Sequence, residues 1–467
     1  MKKLLKFNKL SIVSIIILII LTLVFIALNT LTHPHVVGIN VIGGAENAKL
    51  KNQQIRIEFN RPINRDTVTN SIEITPKADF RSLWSGNNLI LAFDTSLDSQ
   101  TDYTLTLKKN ITDIYNEEFT EDYIFHFKTE IPRLAVIEKV HDNTTNTIAI
   151  YNANLAGRQE LLKRDNIQFY GLNETFLVVV TESNYTNNIE LINRVTNEVQ
   201  NFNLNNVRIN SFAFSPTRNE FAYAFQEVEV EQNYYIPISD AKVIVYDIDA
   251  RSQIDFNPQN SADDVVYLEY SNDGNSLLYR SSDSFYTLAE IKRQDNFTGI
   301  GRYLWSGNFN KDSDKIIFLT FDPASSQIPY QFISTFSSER EIINITDGFT
   351  AVLDPVFMNK TDLILFAQKH KDLDRTKGIY KIMQTDLSGN SVEVISNEKY
   401  SLELPLPSPD DRYIAIEKYN EINLLNFINA RNYGFQNKPQ LANIIVFDTV
   451  ENKLYDTNLI AVEAKWI

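Results

Sequence analysis

Phe212-Ala-Phe-Ser-Pro-Thr217, with Phe221-Ala-Tyr-Ala-Phe225 close behind it, sets a pattern that recurs from residue 167 to the end of the chain. An apolar segment carrying an aromatic runs into a turn rich in Ser, Pro, Asn and Asp, and a short apolar strand follows. The same order appears at Ile167-Gln-Phe-Tyr-Gly171, Leu268-Glu-Tyr-Ser-Asn-Asp-Gly274, Gly307-Asn-Phe-Asn-Lys-Asp312, Pro355-Val-Phe-Met-Asn359 and Leu406-Pro-Ser-Pro-Asp-Asp411. Phe169, Phe214, Tyr270, Phe309 and Phe357 are 45, 56, 39 and 48 residues apart, and Pro407 follows 50 later. Short strands repeating at this period indicate a β-propeller, in which radial repetition with variable loops accounts for both the period and its scatter.

Strands of another kind lie farther along each repeat: Lys242-Val-Ile-Val-Tyr-Asp247, Gly378-Ile-Tyr-Lys-Ile-Met383 and Ile444-Ile-Val-Phe-Asp448. The two ends are complementary. Val462-Glu-Ala-Lys-Trp466 is an opening strand with nothing after it, whereas Leu134-Ala-Val-Ile-Glu138 and Thr147-Ile-Ala-Ile-Tyr151 form a blade without one. If the last strand completes the first blade, no edge is left exposed, and the count is seven. It is six if residues 133–165 form an irregular linker. The Ser-Pro turns, clearest in Phe214-Ser-Pro-Thr-Arg218 and Pro407-Ser-Pro-Asp-Asp411, resemble those of TolB-type and prolyl-oligopeptidase propellers. That resemblance spans about residues 133–467, within a propeller expected over residues 131–467. It implies no hydrolase here, because the chain carries no Gly-x-Ser-x-Gly elbow.

Residues 36–130 read differently. Ile55, Ile57 and Phe59 alternate with Arg56 and Glu58, as in a half-buried strand, and Pro62 ends it by removing a ladder donor. Further alternation at Ile72 and Ile74, Leu89 to Phe93, Tyr103 to Leu107 and Tyr123 to Phe127 gives about six strands, the density of a β-sandwich. Ile57-Glu-Phe-Asn-Arg-Pro-Ile-Asn64, Tyr103-Thr-Leu-Thr-Leu107, Thr112-Asp-Ile-Tyr-Asn116 and Phe125-His-Phe-Lys-Thr129 resemble, in order, the bacterial Ig-like domain of surface-layer proteins. Such domains act as spacers or adhesion modules, so the resemblance implies no enzyme activity. One turn departs from the family: Asp113-Ile-Tyr-Asn116 is a residue short and lacks its glycine.

The amino terminus fixes the expected compartment. Lys2, Lys3, Lys6 and Lys9 lie in a basic segment, residues 1–9, ahead of an apolar stretch over residues 10–28. As a helix that stretch rises about 28 Å, close to a bilayer's hydrocarbon thickness. The lysine bias places the short end in the cytoplasm and the rest outside, with residues 29–35 as linker. A cleaved signal peptide is the rival, but Phe25 to Thr30 offers no small-x-small site. The expected chain is thus all-β apart from an N-terminal transmembrane helix: an Ig-like β-sandwich, then a β-propeller closed by the C-terminal strand.

Composition narrows the partners. The chain has no Cys, so disulfides and thiolate metal sites are excluded. Its net charge is −15, and every one of the four positive charges before residue 30 belongs to the anchor. Such an ectodomain is repelled by nucleic acid and anionic lipid. Five histidines are scattered: His33 and His35 near the membrane, His126 within a strand, His141 and His370 in polar turns. No His-Glu-x-x-His occurs, so a zinc or redox site is not expected. Asp372-Leu-Asp-Arg-Thr-Lys-Gly378 superficially resembles a calcium loop, but Met383 stands where Glu is needed. Asn310-Lys-Asp-Ser-Asp314 reads first as a turn. No cofactor and no catalytic residue is expected.

One insertion carries the binding expectation. Between Phe225 and Lys242 a hairpin would present glutamates beside an apolar tip at Tyr234, Tyr235 and Ile236, residues suited to anchor a partner unless they pack over neighbouring blades. A second stretch, residues 420–439, holds Phe427, Tyr433 and Phe435. The expected function is a membrane-anchored extracytoplasmic binding or scaffold protein for an envelope protein or glycan. An accessory or sensory subunit of an envelope complex, and a polysaccharide-active enzyme using carboxylates at the propeller centre, are the alternatives.

Overall fold

A computed structural model of the chain describes residues 13–23, 33–42, 48–50, 53–93, 95–139, 144–202, 204–231, 234–256, 265–283, 285–291, 297–302, 305–321, 331–336, 341–343, 350–371, 378–397, 400–419 and 442–467. The chain divides into two compact units, Met1–Glu130 and Ile131–Ile467. Of the apolar stretch expected to cross a membrane, residues 13–23 are helical with every side chain exposed. The remainder lies outside the described residues, and among those described no helix is long and apolar enough to cross a membrane.

In the first unit β1 (Val36–Ile42), β2 (Gln54–Phe59), β4 (Phe80–Ser85) and β5 (Asn88–Phe93) pair in the order β1-β2-β5-β4, while β3 (Ile72–Thr75), β6 (Asp102–Leu107) and β7 (Tyr123–Lys128) pair as β3-β6-β7. The alternation read on β2 points Ile55, Ile57 and Phe59 inward, where they meet Leu89 and Leu91 from their own sheet and Ile74, Leu105 and Leu107 from the other. Each such buried side chain is worth about 1.5–3 kcal/mol. Strand β2 ends before Pro62, and Asn64 then caps a short helix, Arg65–Thr69, its side chain accepting the Asp66 N–H at 3.2 Å.

The shortened turn is built without glycine. Asn116 takes the left-handed conformation, φ 66°, which Asn tolerates better than most residues. Fully buried Asp113 accepts the N–H groups of Tyr115 and Glu117 at 2.8 and 2.9 Å and the Arg61 guanidinium at 3.0 Å. Burial alone would raise its pKa, but the Glu117 N–H, Arg61 and the Tyr115 N–H outweigh it and hold the carboxyl below its usual value.

The second unit is a succession of antiparallel meanders. Strands β11 (Ile167–Leu172), β12 (Phe176–Ser183), β13 (Thr186–Asn193) and β14 (Val199–Phe202) form one sheet. The next contains β15 (Val207–Phe214), β16 (Glu220–Glu231), β18 (Lys242–Asp247) and β19 (Ser252–Phe256), with β17 (Tyr234–Pro237) off its path on β16. Strands β20 (Val265–Tyr270), β21 (Ser276–Ser281), β22 (Phe285–Glu290) and β23 (Phe297–Arg302) follow, then β24 (Trp305–Phe309), β25 (Ile316–Phe321), β26 (Gln331–Phe336) and β27 (Glu341–Ile343). The next sheet is β28 (Thr350–Phe357), β29 (Ile364–Lys371), β30 (Gly378–Thr385) and β31 (Ser391–Asn397). The last joins both ends of the unit: β10 (Gln159–Asp165), β9 (Thr145–Asn152), β8 (Arg133–Lys139), β35 (Lys453–Trp466), β34 (Ala442–Asp448), β33 (Tyr413–Tyr419) and β32 (Ser401–Pro407). The fold is β-propeller-like.

Strand β35 is the joint of that sheet. Residues 453–461 pair with β34, and from Ala461 to Trp466 the strand pairs with β8, with Val462 opposite Ile137 and Trp466 opposite Leu134. Lys465 donates to the Tyr170 carbonyl at 2.6 Å, Tyr170 donates its hydroxyl to the Glu463 carbonyl at 2.7 Å, and Trp466 donates to the Leu406 carbonyl at 2.8 Å.

A bulge recurs where β11, β15, β20, β24, β28, β32 and the end of β35 each meet their partner strand. Each inserts an extra residue that bends the strand and increases its twist. In three of them a non-glycine residue takes positive φ: Asp354, Leu404 and Glu463. Apolar cores then fill the spaces between successive strands and sheets. Val180 and Leu191 meet Phe212 and Phe221 in one, and Val136 and Tyr151 join Tyr413 and Val446 in another. The fit is close at Gly171, where a Cβ would lie 2.4 Å from that of Phe214.

Polar bonds tie the turns of neighbouring sheets. The Asn272 side chain donates to the carbonyls of Phe309 and Asn310 at 3.1 and 2.8 Å, and Asn359 likewise donates to those of Pro407 and Ser408, both at 3.0 Å. Asn308 accepts the Phe357 N–H at 2.5 Å and returns a bond to its carbonyl at 3.0 Å.

Candidate functional site

Strand β16 is twelve residues long, twice the length of β18. Glu220 to Glu227 pair with β15 and β18; the last third, Val228 to Glu231, pairs with β17 and runs on as a two-stranded ribbon. Opposed residues share a face, and successive residues alternate between faces. Glu231 opposes Tyr234, Glu229 opposes Ile236, and the Ile238 N–H donates to the Glu227 carbonyl at 2.9 Å. One face therefore carries a row of glutamates beside a row of Tyr234, Ile236 and Ile238, and all six side chains are exposed.

On the other face Val228 is buried and Tyr235 is half-buried with the Arg208 guanidinium 4.3 Å from its ring centre, while Val230 and Pro237 are exposed. A cation over an aromatic face contributes about 0.5–1 kcal/mol at such a site. The structure thus separates the three residues singled out in the sequence: Tyr234 and Ile236 point outward, and Tyr235 secures the base. Arg208, distant in sequence from Tyr235, gave no signal of this role. Lys242 pairs with Glu227 at 3.0 Å, so the sheet-proximal end of the acidic row is neutralised. The Tyr234 hydroxyl bonds to Glu231, and that bond raises the phenol's pKa. Phe427, Tyr433 and Phe435 lie outside the described residues.

The remaining candidates resolve into structure. Asn310 accepts the N–H groups of Asp314 and Lys315 and donates to Asp314 and Asp362 at 2.7 and 3.1 Å, which makes its loop a capped turn. Residues 372–377 of the other acidic loop, and His141, lie outside the described residues. His126 contacts the Thr104 hydroxyl at 3.0 Å, His35 lies 3.1 Å from the His33 carbonyl, and His370 falls on β29 rather than in a turn. Among the described residues no group of three or more His, Asp or Glu side chains could hold a metal ion.

Carboxylates do occur on the strands that carry the bulges. Asp354 accepts the Leu404 N–H at 3.0 Å, linking β28 to β32, and Ser401 donates to Glu403 at 2.7 Å. Burial lifts the pKa of Glu269 to about 8, against the opposing effect of its bond from the Tyr267 hydroxyl. Burial likewise pushes Asp411 up to about 6, although it accepts the Asn359 and Lys360 N–H groups at 2.6 and 2.8 Å.

No curated protein matches the sequence. Among solved structures, hydrazine synthase of Kuenenia stuttgartiensis aligns with 60% of this chain and 91% of its own at 12% identity and a TM-score of 0.37. The tricorn protease aligns with 92% of this chain and 49% of its own, at 12% identity and a TM-score of 0.43. Similarity at this level carries no chemistry across to the present chain. The sequence model that does match covers residues 31–129, and its family is the bacterial Ig-like domain.

Proposed function

We propose that the chain is a membrane-anchored extracytoplasmic binding protein, in which the Ig-like unit is a spacer and the second unit a seven-bladed propeller that serves as a docking platform. The seven-stranded sheet is then two blades sharing β35: its first part is the outer strand of β32-β33-β34, and its last part is the inner strand of the blade formed with β8, β9 and β10. The recurrence of the bulge at the end of β35 supports this count, since β11, β20, β24 and β28 of that bulged series each open a four-stranded sheet and β15 opens a four-stranded path. Closure in this way leaves no edge to template aggregation. The exposed apolar side chains of residues 13–23 support the anchor, because such a surface is stable in lipid rather than water. The TolB-type resemblance supports a non-catalytic propeller.

The observation that carries the platform role is the exposed face of the β16–β17 ribbon, which mixes apolar and acidic side chains beyond the body of its sheet. Its partner is an envelope protein or glycan, and the platform acts without cofactor or turnover. The test is crosslinking and mass spectrometry on intact envelopes of the source organism, with residues 33–467 as bait. A saturable partner retained without the N-terminal segment supports the platform. A partner lost with that segment would place the protein in a helix-dependent complex instead. Turnover of envelope polysaccharide by the purified unit would move it to the enzymes.

A further inference from the structure

We propose that the outward face of the β16–β17 ribbon docks a basic amphipathic segment of a partner protein; this rests on the platform role and names the chemistry of its ligand. Two features of the ribbon decide how a partner approaches. In an antiparallel pair the residues that exchange backbone bonds alternate with residues whose backbone groups point away. The bond from Ile238 to Glu227 sets that phase, so Ile236 and Tyr234 face β16 and Pro237 falls at a position facing outward. Pro has no N–H to offer an incoming strand, which guards this edge against strand addition. The partner therefore meets the face rather than the edge.

That face has two parallel rows. Along a strand, side chains on one face repeat at about 7 Å, so Glu229 and Glu231 form a short anionic rail beside the apolar rail of Tyr234, Ile236 and Ile238. Glu227 is already paired with Lys242, and Glu231 accepts only the neutral Tyr234 hydroxyl, so Glu229 and Glu231 carry the charge that meets the partner. A segment with Lys or Arg on one side and aliphatic groups on the other complements both rails. A neutral glycan does not: it stacks on flat aromatic faces, and this face offers one tyrosine and two isoleucines. Anionic lipid and anionic glycan are repelled by the glutamates and by the net charge of −15. Opposite charge across the contact speeds encounter and sets orientation, while the apolar row sets residence time.

The experiment places benzoylphenylalanine at position 234 of the 33–467 chain, crosslinks it to intact envelopes, and identifies the attached material by mass spectrometry. The attached peptide is then synthesised and titrated by fluorescence anisotropy against wild type, Glu229→Lys/Glu231→Lys, Tyr234→Ala/Ile236→Ala and the distant control Glu198→Lys. The expected result is a basic peptide with interspersed apolar residues, whose affinity falls about tenfold or more in both hairpin variants and not in the control. Raising the salt concentration should weaken the wild type and have little further effect on the lysine variant. Circular dichroism of each variant excludes unfolding, which these exposed positions should not cause. Attachment to glycan, lipid or an acidic peptide, or equal losses with Glu198→Lys, overturns the proposal. So does a saturable envelope partner indifferent to every hairpin variant, a result that leaves the platform role standing. Absence of any saturable partner removes the platform role itself.

Discussion

The two units solve the same problem in different ways. The sandwich has one apolar core, in which residues from both sheets meet, and a buried ion pair pins one of its corners. The propeller-like unit has a separate core between each pair of sheets, and its polar bonds are spread over repeated turns. A lesion in the first unit is therefore felt by the whole unit. In the second, a lesion is shared among neighbours unless it strikes the joint where the chain returns to its start. The difference teaches that repetition dilutes single defects but concentrates dependence on the one strand that joins the first and last meanders.

Deleting residues 461–467 is the harshest way to break the comparison. It removes the strand opposite β8 and the bonds of Lys465 and Trp466, and it exposes an apolar edge on Leu134 to Ile137. The expected outcome is loss of the cooperative transition of the second unit, with aggregation, while the first unit still melts cooperatively. The tryptophans separate the two signals: Trp84 reports the sandwich, and Trp305, joined by Trp466 in the full chain, reports the other unit. A truncated chain whose second unit keeps its midpoint would show that the pairing of β35 with β8 does not hold the unit together.

Asp113→Ala is the corresponding lesion in the sandwich. It removes the nearer of the two carboxylates beside buried Arg61, with Glu117 at 3.6 Å remaining, and frees two backbone N–H groups in the corner. Removing one member of a buried pair costs about 3–5 kcal/mol, so the Trp84 transition should fall steeply in urea. The signal from the second unit should stay where it was. A loss below about 1 kcal/mol would mean that water replaces the carboxylate without penalty.

How much of this was legible depends on distance along the chain. The alternation at Ile55, Ile57 and Phe59 was readable because a strand with one buried face writes a period of two into its own residues. The β16–β17 hairpin was readable for the same reason, and so was the complementarity of Val462 to Trp466 with the strand at Leu134, which pair in the structure. The bulges at Asp354, Leu404 and Glu463 were not, since an extra residue is defined only against the partner strand. Arg61 and Asp113 are 52 residues apart, and nothing local in either segment announces the bond. At the candidate site the sequence supplied Tyr234, Tyr235 and Ile236 as one cluster. It could not say which faced outward, because the phase of the ribbon is fixed by Glu227 and Ile238, and the inward packing of Tyr235 by Arg208. The strand β4 was missed because polar Ser82 sits between Phe80 and Trp84 on its inward face while apolar Leu83 is exposed on the other, so hydropathy does not follow the alternation of burial.

Asn359→Ala measures how far the second unit spreads its load. Two carbonyls, those of Pro407 and Ser408, lose their donor, a cost of about 1–2 kcal/mol. Asn272→Ala does the same between another pair of sheets, and the two sites share no partner, so their costs should add in urea titrations. Strong coupling between them would mean that the sheets respond as one body and that dilution by repetition is the wrong description.

The last contrast is the one with opposite signs in the two units. Burial raises Glu269 to about 8 and Asp411 to about 6, both in the second unit, so folding there favours their protonated forms. A carboxyl raised on folding stabilises fully below its unfolded pKa, and that contribution disappears as pH rises through the folded value. Between pH 7 and pH 5 Asp411 alone should therefore add roughly 1 kcal/mol to the second unit. Asp113 is lowered on folding, so its contribution is complete above the ordinary aspartate value of 3.8 and is lost only as pH falls below it. Chemical unfolding at pH 8, 7, 6 and 5 should thus raise the midpoint of the second unit stepwise and leave the Trp84 transition nearly level. Glu269→Gln should lower the slope across the whole range, because Glu269 gains protonated stability at every step between about 8 and its ordinary value of 4.5, and should leave only the smaller rise that Asp411 adds below about pH 7. If both units moved together, these two carboxyls would not be the source, and the electrostatic contrast between the units would fall with them.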